Sequence, residues 1–188
     1  MISIPIPRLV IVSPCYNEEA ILAYSAERLT SLLRQLVQQA KIVSESYILY
    51  VNDGSRDRTW ELIEELHQHY EEVNGLCLAG NVGHQSAIMA GMMEVVEEAD
   101  AVITIDADLQ DDLAAIETMI DRYQEGYDVV YGVKKTREAD PWLKRTSALA
   151  FYRLQSAMGI RAVYNHADFR LLSQAALRAL ATYPERNL

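Results

Sequence analysis

Short apolar runs typical of strands alternate with stretches of helical apolar spacing along most of this 188-residue chain. The strand-like runs lie at 9–13, 47–51, 75–79, 101–105 and 127–133, and the first of them is rich in β-branched residues. The stretches of helical spacing lie at 20–40, 59–70, 85–97 and 112–124. Strands that alternate with helices in this way pack as a mainly parallel sheet between layers of helix. The alternation therefore predicts an α/β sandwich, with its ligand site beyond the carboxyl ends of the strands.

After residue 133 the alternation of strand and helix gives way to a basic segment. A loop that contains Lys134, Lys135 and Arg137 is followed by apolar spacing typical of an amphipathic helix at 141–158. The pattern fits a helix that packs on the core with a solvated basic side. It also fits a helix that lies in a membrane interface.

Composition limits the class of protein. Half of the residues are apolar, which is enough for the core of a single domain spanning 1–188. Cys15 and Cys77 do not make a disulfide framework, and the N-terminus lacks the basic and apolar regions of a signal peptide. No stretch reaches the roughly 20 apolar residues of a membrane span. These features predict a cytoplasmic domain that does not itself cross a bilayer.

The net charge of −10 is unevenly distributed. Residues 134–170 carry eight basic and three acidic side chains, so this segment has a charge of +5 and the remainder has −15. The overall acidity argues against general affinity for nucleic acid. The basic segment fits an anionic ligand or a lipid headgroup surface, and it also fits a solvated helix face.

Two carboxylates follow the run at 101–105, and an amide comes two residues after the second of them. Asp106, Asp108 and Gln110 offer the oxygen ligands that Mg²⁺ and Mn²⁺ prefer. Because side chains alternate along a strand, we expect both aspartates to project to the same side as the strand ends. The pattern predicts a metal bound to a diphosphate, although acidic pairs also cap helices and line turns.

Polar loops also follow the first two strands. In the loop at 13–19, Tyr16 can stack on a base and Glu18 can accept hydrogen bonds from a base or a ribose. The alternative is that Asn17 and Glu18 cap the next helix. In the loop at 51–57, Asp53 can read an imide N–H of uracil or an amino group of guanine, whereas an isolated Asp-Gly pair forms only a turn.

The loop at 80–86 reads Gly-Asn-Val-Gly-His-Gln-Ser and lies between a strand and a helix. It lacks the Gly-x-Gly-x-x-Gly spacing of dinucleotide sites, and it lacks the lysine and hydroxyl of a P-loop. Neither kind of phosphate loop is therefore predicted. His84 fits a residue that starts the helix, or one that supports a catalytic group.

Four motifs occur in an order that resembles one protein family. They are Pro-x-Tyr-Asn-Glu at 14–18, Asn-Asp-Gly-Ser at 52–55, Gly-Asn-x-Gly-His-Gln at 80–85 and Asp-Ala-Asp-Leu-Gln at 106–110. The chain resembles the family 2 glycosyltransferases, and within them the bacterial undecaprenyl-phosphate glycosyltransferases and the dolichyl-phosphate mannose synthases. The likeness continues through 144–152 and 167–171 to 184–187, so it covers nearly the whole chain.

The resemblance implies a GT-A fold, which is a Rossmann-like α/β/α sandwich with a mainly parallel central sheet. It implies one catalytic domain at 1–188, with 134–188 facing the acceptor and the membrane, and membrane helices after it in a longer protein. The implied nucleotide-binding residues are Pro14, Tyr16, Glu18, Asp53 and Asp106. The implied ligands of Mg²⁺ or Mn²⁺ are Asp108 and Gln110. The residues implied to receive an acceptor phosphate are Arg137, Arg145 and Ser147.

The reaction that the resemblance implies is an inverting transfer of a sugar from a nucleotide diphosphate sugar to a polyprenyl (undecaprenyl) phosphate. UDP-glucose and UDP-N-acetylglucosamine are the candidate donors. The expected place is the cytoplasmic face of the plasma membrane, and the expected role is modification of cell-envelope glycans. The groups expected to act in catalysis are Asp108, Arg145 and Asp168. Contact with a membrane surface and a homo-oligomer formed through 141–188 are also expected.

Two alternative functions stay open. A transferase that acts on a sugar or protein hydroxyl needs a base such as Asp168, since a hydroxyl does not ionise at neutral pH. Asp168 precedes Phe169 and Arg170, so it also fits an ion pair or a turn cap. The second alternative is a domain that binds a nucleotide sugar without catalysis.

Overall fold

Strands and helices alternate in the computed structural model, which describes residues 5–133 and 166–182. The strands are β1 (Leu9–Cys15), β2 (Tyr47–Asn52), β3 (Val73–Cys77), β4 (Ala101–Thr104), β5 (Val129–Val133) and β6 (His166–Ser173). The helices are α1 (Leu22–Gln38), α2 (Thr59–His69), α3 (His84–Glu94), α4 (Ala114–Gln124) and α5 (Gln174–Ala181). Every strand and helix that the sequence predicts within these residues is present.

The strands form one sheet in the order β3-β2-β1-β4-β6-β5. β1 pairs in parallel with β2 and β4, and β2 pairs in parallel with β3. β6 is antiparallel to both of its neighbours, β4 and β5, and its first residue, His166, pairs with Val133 at the end of β5. The predicted mainly parallel sheet is confirmed, with one reversed strand next to its edge.

Helices cover both faces of the sheet because each inner strand buries alternate residues on its two sides. On one face, Leu9 and Ile11 of β1 pack with buried residues of α1, α2 and α4. On the other face, Val10 and Val12 pack with buried residues of α3 and α5. This packing confirms the predicted three-layer α/β/α sandwich, and it directs the loops after β1, β2 and β4 to the same edge.

The first strand runs past its predicted end at Ser13. Pro14 and Cys15 continue the parallel pairing with β2. Proline lacks the N–H that a strand needs when it has two neighbours, but β4 pairs with β1 only as far as Val12. The proline therefore stands where β1 has a single neighbour, and the predicted break at this position is wrong.

β6 and α5 were not predicted from the sequence. Along β6, the partly exposed Asp168 and Arg170 alternate with Phe169 and Leu171, which are buried. Polar side chains on one face gave this strand little of the apolar character that marks the others. The turn-cap interpretation of Asp168 is wrong, because the residue lies within a strand. α5 begins at Ser173, whose Oγ accepts a hydrogen bond from the Ala176 N–H at 3.1 Å.

No helix in the described ranges 5–133 and 166–182 is long and apolar enough to cross a membrane. The basic loop predicted at 134–137 and the amphipathic helix predicted at 141–158 lie outside those ranges.

Candidate active site

A pocket of about 490 Å³ lies beyond the carboxyl ends of β1, β2 and β4. Parallel sheets of this kind bind their ligands at that edge. The pocket is lined by the predicted metal ligand Asp108 and by all the predicted nucleotide-binding residues, which are Pro14, Tyr16, Glu18, Asp53 and Asp106. Tyr16 is 43% exposed, so its side chain is accessible to a base. The structure thus brings into one cavity side chains from three separate loops.

The loop after β1 is joined to the loop after β2 by the backbone and the side chain of Asn17. The Asn17 N–H donates to Ser55 Oγ at 3.0 Å, and Asn17 Oδ1 accepts from the Arg56 N–H at 2.8 Å. Asn17 has a φ of 57°, a left-handed conformation that asparagine tolerates better than most residues. The predicted alternative of helix capping is wrong for this residue, since α1 has Ile21 at its N-cap and no side-chain capping bond.

A second set of bonds joins the same two loops one residue further along. The Glu18 N–H donates to Thr59 Oγ1 at 2.8 Å, and the Glu19 N–H donates to Asp57 Oδ2 at 3.2 Å. Burial raises the pKa of Asp57, but hydrogen bonds from Thr59 and Glu19 outweigh it, so the pKa lies below its usual value. The backbone that carries Tyr16 and Glu18 is therefore fixed by the second loop.

We expect Asn17→Ala to lower the free energy of unfolding by about 1–3 kcal/mol, because it removes a loop-to-loop acceptor and places alanine at a positive φ. Nucleotide affinity should fall with it, since the base-stacking candidate Tyr16 is the preceding residue. Urea denaturation and nucleotide titration measure the two effects. Asn17→Gly is the matched control, since it keeps the left-handed backbone and removes only the side chain. Unchanged values in both variants would contradict the role assigned to Asn17.

The carboxylate of Asp53 holds the loop after β3. Asp53 is 3% exposed. Its Oδ1 accepts from the Val82 N–H at 2.7 Å, and its Oδ2 accepts from the Gly83 N–H at 3.0 Å. Each oxygen keeps one further lone pair, so recognition of a base by Asp53 stays a prediction. The sequence did not indicate that this aspartate also fixes the start of α3.

A turn after β4 presents the paired aspartates. The strand ends at Thr104, and the Leu109 N–H donates to the Asp106 carbonyl at 3.1 Å. Asp106 and Asp108 both line the pocket as predicted, but the cause is this turn rather than alternation along a strand. Gln110 donates its backbone N–H to Asp108 Oδ1 at 3.2 Å and its Nε2–H to Asp108 Oδ2 at 2.7 Å.

Carboxylates are concentrated in this pocket. Burial raises the pKa of Glu18, and the charges of Asp108, Asp57 and Asp106 raise it further. Burial likewise raises the pKa of Asp106; His84 lowers it, and Asp108, with other acidic neighbours, raises it. A cation would relieve this repulsion, and the exposed Asp108 carboxylate offers oxygen ligands that fit Mg²⁺ or Mn²⁺. Gln110 does not line the pocket, and its amide N–H rather than its oxygen faces Asp108, so its role as a metal ligand stays a prediction. Within 5–133 and 166–182, no three His, Cys, Asp or Glu side chains are grouped to hold a metal by themselves.

Asp168 does not line this pocket; it lies next to the first residues of α3, one of which, His84, does line it. Its Oδ2 lies 3.2 Å from His84 Nε2, and its Oδ1 accepts from Gln85 Nε2 at 2.9 Å. The contact with His84 is an ion pair only when that ring is protonated, so the ion-pair interpretation of Asp168 stays a prediction, and so does a role as a base. His84 begins α3, as one of its two interpretations required. Its contact with Asp168 was not predictable from spacing, because β6 was not recognised as a strand.

The predicted acceptor-phosphate residues Arg137, Arg145 and Ser147 lie outside the described residues, and so does the catalytic role predicted for Arg145.

Comparison with known proteins decides the family. The model of the family described as glycosyl transferase family 2 matches residues 10–181. The chain belongs to this family. The matched range contains every predicted site residue, including those for the nucleotide and for the metal.

Family 2 relatives span more than this chain does. The chain is 47% identical over 182 residues to uncharacterized glycosyltransferase YkoT of Bacillus subtilis, which covers 97% of this chain and 54% of the relative. It is 37% identical over 145 residues to the bactoprenol glucosyl transferase of Shigella phage SfX, with 77% of this chain and 47% of the relative covered. The chain therefore spans about half the length of these curated relatives.

A solved glycosyl-transfer enzyme of low sequence identity shares the fold. Glucosyl-3-phosphoglycerate synthase from Mycobacterium tuberculosis, in complex with Mn²⁺, UDP and phosphoglyceric acid, superposes with a TM-score of 0.59 at 14% identity. The match covers 90% of this chain and 56% of that protein. It confirms the predicted GT-A fold for this family 2 chain.

Proposed function

We propose that this chain is the catalytic domain of an inverting family 2 glycosyltransferase that moves a sugar from a nucleotide diphosphate sugar to a polyprenyl phosphate. One observation carries the proposal: Tyr16, Glu18 and Asp53 share a pocket with the turn that bears Asp106 and Asp108. That arrangement supplies a stacking surface, polar groups for a nucleoside and an oxygen-rich position for a cation in one cavity. The bactoprenol glucosyl transferase among its relatives supports a polyprenyl phosphate as acceptor.

In the proposed reaction, Tyr16 stacks on the base while Glu18 and Asp53 accept its hydrogen bonds. Asp106 orients the sugar nucleotide from the floor of the pocket, and Asp108 with Gln110 holds the divalent cation. Mg²⁺ or Mn²⁺, when bound, acts as a Lewis acid for the departing nucleotide diphosphate. UDP-glucose and UDP-N-acetylglucosamine are the donors that we propose.

The acceptor needs no strong base in this scheme. A phosphate monoester has a second pKa near 6, so at neutral pH it is already an anionic nucleophile. The main obstacle is repulsion between the acceptor phosphate and the donor diphosphate. We assign relief of that repulsion to the basic segment 134–170, with Arg137, Arg145 and Ser147 as phosphate ligands. Attack in line with the departing diphosphate inverts the anomeric carbon.

The proposed setting is the cytoplasmic face of the plasma membrane, where the product would serve modification of cell-envelope glycans. The net charge of +5 in residues 134–170 suits an anionic membrane surface. Self-association through 141–188 is part of the same proposal.

A transferase that acts on a sugar or protein hydroxyl is the second candidate, because Asp168 stands beside the pocket, where a base would be needed. Both of its oxygens already take part in contacts with His84 and Gln85. Those contacts suit a fixed counter-ion better than a group that must take up a proton, so the phosphate acceptor is favoured.

A transfer assay separates the candidates. The complete protein in detergent is given labelled UDP-glucose, UDP-N-acetylglucosamine or GDP-mannose with either polyprenyl phosphate or polyprenol, which has a hydroxyl in place of the phosphate. We expect a metal-dependent glycolipid from polyprenyl phosphate alone, and turnover that is retained in Asp168→Asn. Transfer to polyprenol that is lost in Asp168→Asn would support the hydroxyl acceptor. Nucleotide binding without any product would indicate a domain that binds but does not catalyse.

A further inference from the structure

His84 is the point where three parts of the candidate site meet. It is the first residue of α3, and its side chain reaches both the turn after β4 and the strand β6. Its Nε2 lies 3.2 Å from Asp168 Oδ2 and 3.4 Å from Asp106 Oδ1. One imidazole nitrogen therefore faces a carboxylate on each of two elements.

The position of His84 is itself fixed. Asp53 accepts hydrogen bonds from the backbone of Val82 and Gly83, immediately before the histidine. Gly83 is the N-cap of α3 and has a φ of 90°. Gln85 then binds the second oxygen of Asp168 at 2.9 Å. The buried Asp53 carboxylate thus fixes the backbone that carries His84, and the Gln85 amide holds the Asp168 carboxylate that His84 contacts.

The Asp106 carboxylate depends on this contact. Its Oδ1 is buried and has no hydrogen-bond partner among the described residues, and His84 Nε2 is a polar atom 3.4 Å from it. A buried anionic oxygen without compensation is costly. Asp108 and Asp168 add further negative charge around it. Without the imidazole, Asp106 would be repelled from the position that it needs to face a donor.

We propose that His84 is a positioning residue for the donor: its Nε2 bridges Asp106 and Asp168, and so holds the Asp106 carboxylate in the nucleotide pocket against repulsion from Asp168. The inference rests on the proposed function, since that function assigns Asp106 to donor binding. On this proposal, the Asp168 carboxylate repels Asp106 and weakens donor binding when the His84 imidazole is removed. A residue with a merely structural role would not produce that dependence.

The test is calorimetric titration of the complete protein with UDP and Mn²⁺, with GDP in a parallel series. We expect His84→Ala to weaken nucleotide binding roughly tenfold, because the Asp106 carboxylate loses the polar group that stands between it and Asp168. Adding Asp168→Asn to His84→Ala should restore most of that affinity. His84→Gln keeps an amide donor and should remain within about threefold of the unchanged protein. His69→Ala, at the exposed end of α2, is the histidine control.

The outcomes distinguish a failure of the proposed function from a failure of the role assigned to His84. No nucleotide binding by the unchanged protein would overturn the proposed function and this inference with it. Normal binding by the unchanged protein, with a double variant as weak as His84→Ala or weaker, would overturn the inference alone. The midpoint of thermal unfolding should be similar in all variants, because the His84 side chain is 47% exposed.

Discussion

Asp108→Ala is expected to abolish metal-dependent nucleotide binding and to lower sugar transfer by about a hundredfold or more. The Asp108 carboxylate is the most exposed of the acidic groups that line the pocket, and Gln110 orients both of its oxygens. Its removal leaves the position of the cation with a single proposed protein ligand. Titration with UDP, with and without Mn²⁺, measures nucleotide affinity, and the polyprenyl-phosphate assay measures sugar transfer.

The matched control for this change is Asp121→Ala. Asp121 lies on α4, where it pairs with Lys41 at 2.5 Å on the surface, away from the pocket. Asp121→Ala should leave nucleotide binding unchanged and alter the free energy of unfolding by less than about 1 kcal/mol. Metal-dependent binding that survives in Asp108→Ala would show that the cation is held elsewhere, and the metal assignment of Asp108 and Gln110 would fall.

Gly54→Ala is expected to destabilise the protein by about 2–5 kcal/mol and to disable the site. Gly54 has a φ of 65°, and a Cβ added there would lie 2.5 Å from the Asn81 backbone nitrogen and 2.6 Å from the Gly80 carbonyl carbon. Backbone atoms cannot turn aside as a flexible side chain can. The loop after β3 would therefore move away from Asp53, and the two hydrogen bonds that fix the start of α3 would lengthen.

Two other glycines separate the causes of that effect. Gly126 has a φ of 100° but open space around its Cβ position, so Gly126→Ala should show backbone strain alone, about 1–2 kcal/mol. Gly80 lies in the facing loop, and a Cβ added to it would meet no atom within 4 Å. Gly80→Ala should therefore leave the free energy of unfolding nearly unchanged. Urea denaturation of the three variants measures the differences. A Gly54→Ala variant no less stable than Gly126→Ala would contradict the close approach of the two loops.

The sequence predicted those site residues whose position depends only on the strand that precedes them. Asp53 and the Asp106–Asp108 pair follow buried strands, and the ends of parallel strands converge at one edge, so their meeting could be expected. The fold followed from the same alternation of strand and helix. Even the boundary errors were local: Pro14 continues β1 because its neighbour β4 has already ended there.

The parts that were missed depend on contacts between loops. The bonds from Asn17 to Ser55 and Arg56 require two turns to meet in a particular register, and neither turn shows that register in its own residues. The contact between His84 and Asp168 requires β6 to be a strand beside β4. Asp168 and Arg170 concealed that strand, since they interrupt the apolar run with partly exposed polar residues.

The pairing of Val133 with His166 has a consequence for how such enzymes diverge. The two points where the chain leaves and re-enters the sheet are adjacent, so the stretch between them can lengthen, shorten or exchange its residues without shifting either strand. The pocket beyond β1, β2 and β4 lies at the same edge of the sheet but takes none of its lining residues from β5 or β6. If the residues between these two strands receive the acceptor, as we propose, acceptor specificity can change during evolution while the nucleotide site at β1, β2 and β4 is kept.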